Sequence, residues 1–173
     1  VTAPAGTAEE VRAAVATYLS GGAVPNLAIV LRSPPFDEGE IDWNTLLAPG
    51  ALVMCFGVVF LEHESDEDIS LDGAGGRRVC TYDVTLELFF QDISGDAIAA
   101  QGRLDNIITG VKQRLRTDPR LGTGTADPPT DIIQAAVAKL EVERGRPERY
   151  GEGDTFGAWT GIKFTVDSYE YAT

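Results

Sequence analysis

Residues Val79–Gln91 read V-C-T-Y-D-V-T-L-E-L-F-F-Q and run through D-I-S-G-D into A-I-A-A-Q-G-R-L-D-N-I-I-T-G-V-K-Q-R-L-R-T, closed by Asp118-Pro119-Arg120-Leu121-Gly122. In the first part Tyr82, Val84, Leu86, Leu88 and Phe90 share one face by the period of two, and Thr81, Asp83, Thr85, Glu87 and Gln91 share the other. That pattern predicts a strand with one core face and one wet face. In the second part Ala97, Ala100, Leu104, Ile107, Ile108, Val111 and Leu115 fall in one apolar stripe at helical spacing. Ser94 or Asp92 is the expected cap of the first turn. Arg114 and Arg116 suit the negative end of the helix dipole, and Pro119 forbids continuation. A strand and helix of this kind form the expected folding core.

Working outward, Thr7 and Glu10 make a capping box before Val11, Val15, Tyr18 and Leu19, with Ser20-Gly21-Gly22 as the stop. Asn26–Arg32 (N-L-A-I-V-L-R) predicts a strand ended by Ser33-Pro34-Pro35. The segment 36–50 is expected to be mostly loop, with a helical turn near Asp42–Leu47. Ala51–Leu61 is apolar on both faces, which predicts a strand whose second face is covered, with another subunit as one source of that cover. Segment 62–78 is acidic and Gly-rich and is expected to form a long, mobile hairpin tip. Ile132–Glu143 predicts a strand with Ala138, Leu140 and Val142 inward, and Trp159–Tyr171 a last strand with Ile162, Phe164 and Val166 inward. The sum is an α+β domain: a mixed, largely antiparallel sheet of about four to five strands with helices on one face. Residues 1–6 are expected to be a flexible N-terminus and 7–173 a single domain.

Composition narrows function. The 173 residues carry 27 acidic and 14 basic side chains, a formal charge of −13, so a nucleic-acid-binding face is not expected. No apolar run is long enough for a membrane span. Cys55 and Cys80 show no metal spacing and read as buried thiols. Asp68, Ser70, Asp72 and Gly73 match the first half of a calcium loop, but Val79 stands where a bidentate Glu is required. His63 between Glu62 and Glu64 invites a general-base reading, yet no nucleophile is designated beside it. Gly73, Gly75 and Gly76 before Arg77-Arg78 lack the order of a phosphate loop. Trp43 and Trp159 read as packing or interface anchors. No catalytic residue, cofactor or metal is expected.

The chain resembles the tail-terminator proteins of long-tailed bacteriophages, within a broader group of tail-completion and head-tail joining proteins. The resemblance lies in the capped first helix with N-L-A-I-V-L-R, the Y-D-V-T-L-E-L-F-F-Q strand, the helix D-N-I-I-T-G-V-K-Q-R-L with D-P-R-L-G, and the terminal W-T-G-I-K-F-T-V-D-S-Y-E-Y. It implies a structural virion protein that caps the tail tube as a homo-oligomeric ring, a hexamer, with no enzymatic activity. Its implied partners are the tail-tube protein and a head-completion or neck protein, with DNA passing through unbound. The implied location is the head-proximal end of the tail, after assembly in the host bacterial cytoplasm. Segments 36–50 and 62–78 are longer than such a protein needs. The expected subunit contacts are Trp43, Val53, Cys55, Val59 and Leu61. The acidic residues Glu64, Asp66, Glu67, Asp68 and Asp72 are expected to face the channel or a neighbour. The rivals are a head-tail connector of similar fold and, from another class, a small-molecule-binding or hydrolytic α+β domain.

Overall fold

A computed structural model describes residues 7–33, 51–68, 77–123, 132–150 and 154–171. In chain order these form α1 (Ala8–Leu19), β1 (Ile29–Leu31), β2 (Val53–Asp68), β3 (Arg77–Asp92), α2 (Ala97–Thr117), β4 (Ile132–Arg144), β5 (Glu148–Tyr150) and β6 (Thr155–Tyr171). The sheet runs β1-β2-β3-β6-β4, with β5 also on β6. β1 is parallel to β2 and every other pair is antiparallel. The architecture is α+β, with one or two strands more than the sequence pattern suggests.

Both helices lie on one face of the sheet. Val11, Val15 and Leu19 of α1 and Leu104, Ile107, Ile108, Val111 and Leu115 of α2 share one core with Val84, Leu86, Leu88, Ile162 and Val166. Each fully buried aliphatic contributes about 1.5–3 kcal/mol of transfer free energy, opposed by the conformational entropy lost in ordering the chain. The capping box at Thr7 and Glu10 is formed as expected. α1 and α2 are clamped reciprocally: Tyr18 Oη donates to the Arg114 carbonyl (2.8 Å) and Arg114 Nε donates to the Tyr18 carbonyl (3.3 Å). The Arg114 guanidinium also lies 4.0 Å from the Tyr18 ring centroid. After α2, both carboxylate oxygens of Asp118 accept backbone amides, from Arg120 and Gly122. The Pro119 carbonyl then accepts the Ala135 amide at 2.7 Å, tying the helix end to β4.

Several sequence expectations shift. The cap of α2 is Asp96, whose carboxylate accepts from the Ile98 and Ala99 amides, and Ala97 is exposed. Asp92 is the last residue of β3, and its carboxylate is taken by the Ser94 amide (2.8 Å) and Arg103 (2.7 Å). Ala138 is exposed, and the inward residues of β4 include Ile133 and Ala135, because the register slips between Ala136 and Glu141. The turn after Arg144 holds β5, which continues the line of β4 along β6 beyond a break at Gly145–Pro147. At that break a Cβ on Gly145 would sit 2.0 Å from the Trp159 carbonyl oxygen, so only glycine fits. The acidic stretch Glu62–Asp68 is strand, paired with β3 as far as Asp68↔Arg78. A ladder bonds backbone groups whatever the side chains are, so acidity did not prevent it. Trp43, Ser70, Asp72, Gly73 and the expected turn at 42–47 lie outside the described residues.

Candidate assembly surface

The alternation that sends Leu86, Leu88 and Phe90 toward the helices sends Thr85, Glu87 and Phe89 to the far side of the sheet. Register then aligns Phe56 (β2), Phe89 (β3) and Trp159 (β6) in one row across three neighbouring strands. Phe56 and Phe89 stack with centroids 5.0 Å apart and planes 16° from parallel. The next row toward the strand ends is Met54, Gln91 and Gly157. Beyond it, Leu52 and Ile93 are joined by a 2.9 Å bond from the Ile93 amide to the Leu52 carbonyl. The Trp159 indole edge lies 3.4 Å from where a Cβ on Gly161 would stand, an ordinary van der Waals distance.

The outcome is an open apolar groove of about 380 Å³ lined by Met54, Phe56, Phe89, Gln91, Gly157 and Trp159, among others. At this end of the sheet Leu52 is 46 % exposed, Ile93 47 % and Phe89 37 %. Burying such side chains against a partner releases the free energy that their exposure withholds.

The residues expected to form this surface face the other way. Cys55 and Val59 lie in the helix-side core, and Val53 and Leu61 pack against it. Burial pushes the Cys55 thiol up to about 12, so it stays protonated and inert. The opposite side of the same strand, Phe56 and Val58, is buried within a single chain at 7 % and 2 % exposure. Between Cys55 and Val59, β2 is therefore covered on both faces within the chain, and apolar surface is left over at its start. The signal for it was the other parity of β2, Met54, Phe56, Val58 and Phe60, together with Phe89 as the one large apolar residue on the wet face of β3.

The acidic residues Glu64, Asp66 and Glu67 are exposed on the second half of β2. One extra residue at Glu62 changes the strand's parity there: Leu61 pairs with Val84 but His63 with Asp83. Glu64 thus comes to the helix side, where its Oε1 accepts from the Cys80 thiol at 3.5 Å. Asp68 ends β2 opposite Arg78. His63 is exposed, and its cross-strand neighbour is Asp83. A second, polar trough of about 310 Å³ includes Glu62, Asp83, Thr85, Lys139, Glu141 and Lys163, with Lys139 and Glu141 paired at 3.0 Å. Its charges are of both signs.

No family model matches the chain, and a search of curated proteins finds no relative.

Proposed function

We propose that this chain is a structural virion protein, a tail terminator that closes the phage tail tube as a homo-hexameric ring and presents the surface that the head-completion protein joins. The observation that carries this reading is the apolar end of the sheet at Leu52, Phe89 and Ile93, exposed on the side the helices do not cover. A ring needs each subunit to offer apolar surface to the next, and Leu52 beside Ile93, with Phe89 two rows further along the sheet, serves that need. The charge of −13 supports the same reading, since like charge keeps a DNA phosphate backbone from sticking to the wall of a channel. The chain acts by packing, with no enzymatic step, at the head-proximal end of the tail.

Light scattering across micromolar concentrations tests it. A hexamer, and capture of the ring on tail tubes imaged by electron microscopy, is the expected result. A monomer at every concentration with no attachment to tubes would refute it. A ring found in the neck of the particle would reassign the protein to a head-tail connector.

A further inference from the structure

We propose that the outer edge of β2 between Leu61 and Glu67 receives a cationic extended segment of another protein as an added strand. β2 is sixteen residues long, but β1 pairs only with Phe56–Val58. Among the described residues no strand pairs with the outer edge of β2 beyond Val58. The direction of its backbone groups follows from two bonds. The Cys55 carbonyl accepts the Ala28 amide on the β1 side, and the Leu52 carbonyl accepts the Ile93 amide on the β3 side. Backbone groups alternate along a strand, so Leu61 turns its N–H and C=O outward. The extra residue at Glu62 shifts that alternation, and Glu64 turns outward in its place. An outward row of this kind is a template for another strand.

Charge selects the occupant. Glu62, Glu64 and Glu67 stand along this edge within six residues, all exposed. Glu64 is on the helix side and Glu67 on the far side, so an added strand meets carboxylates on both of its faces. A second copy of this acidic chain is repelled there, whereas alternating lysines are matched. The contact is separate from the apolar surface at Leu52 and Ile93, and it does not depend on ring formation.

The test is fluorescence anisotropy with the full chain and a labelled peptide of about nine residues alternating Lys and Thr. The control is the same peptide N-methylated at every residue, which keeps every charge and removes the backbone donors of both edges. The unmethylated peptide should bind about tenfold more tightly, lose affinity between about 50 and 300 mM salt, and slow hydrogen exchange at the Leu61 and Glu64 amides. The double change Glu64→Lys, Glu67→Lys should weaken binding by a similar factor while the circular dichroism spectrum stays native. Equal affinity for the methylated peptide would reduce the contact to charge alone and overturn the proposal. So would the absence of binding at low salt, or unchanged exchange at both amides. A dimer of the chain alone that the double change abolishes would give the edge to a second copy, and would equally overturn it. A chain that stays monomeric yet binds the peptide would refute the ring and leave this inference standing.

Discussion

Asp92 shows how much one side chain fixes in this fold. Its carboxylate is wholly buried, yet the structure keeps it charged. Burial works against the anion, but bonds from Ser94 and Arg103 outweigh it and hold the carboxyl below the ordinary Asp range. A lowered folded value contributes stability that is complete above the unfolded pKa, about 3.9, and is lost as pH falls through the folded one. Asp92→Asn should therefore cost about 2–4 kcal/mol at neutral pH, less than a fully enclosed pair because Arg103 reaches water. In urea melts the gap between wild type and variant should shrink below about pH 4, and a constant gap down to pH 2 would show that the charge is irrelevant. Thr160 gives the opposite case. Its hydroxyl is buried in β6 with no hydrogen-bond partner among the described residues, a position that forfeits about 1–3 kcal/mol of hydration. Thr160→Val keeps the shape and removes the unpaired group, so it should raise stability by about 1 kcal/mol, and a lower melting temperature would contradict this.

Helix α2 is held by one stripe and one cap, and the two can be separated. Leu104 is fully buried against the sheet, so Leu104→Ala should cost about 2–5 kcal/mol in denaturant unfolding. Asp96→Ala removes one capping oxygen and should cost about 1 kcal/mol, while Ile98→Ala, two residues on and 86 % exposed, should leave stability nearly unchanged. If Ile98→Ala proved as damaging as Leu104→Ala, α2 would have to turn a different face to the sheet. β3 and α2 were legible in the sequence because their periods of two and 3.6 run unbroken over their buried faces. The cap was misplaced because three oxygen-bearing residues lie within five positions, and only the length of the β3 ladder decides that Asp92 serves the strand end and Asp96 the helix. The slip in β4 left no local mark, since Ala135, Ala136 and Ala138 are alike in sequence and differ only in what β6 offers them. The candidate surface was missed for a related reason. β2 is apolar in both parities, so its own sequence could not say which set faces α1 and α2. That choice is made by the pairing of Cys55 with Phe90 and Phe56 with Phe89, which is information held in β3.

At the scale of the whole molecule, two forces would set the conditions for the proposed assembly, and they respond oppositely to salt. The apolar end at Leu52, Phe89 and Ile93 favours association, while −13 charges per subunit oppose it. Screening shortens the reach of that repulsion from about 30 Å at 10 mM salt to about 8 Å at 150 mM, and apolar burial does not weaken over the same range. The proposed ring should therefore form at lower protein concentration as salt rises, the reverse of the cationic-strand contact proposed on β2. Leu52→Asp with Ile93→Asp places two more charges on the apolar end at positions that are already about half exposed, so the fold should survive with less than about 1 kcal/mol lost. The same pair of changes should leave a monomer at every salt concentration, by sedimentation or light scattering, with an unaltered circular dichroism spectrum. Rings that persist in the double variant would place the subunit contact elsewhere on the molecule. Rings that form in the wild type but weaken with salt would mean that complementary charge, not the apolar end, drives assembly.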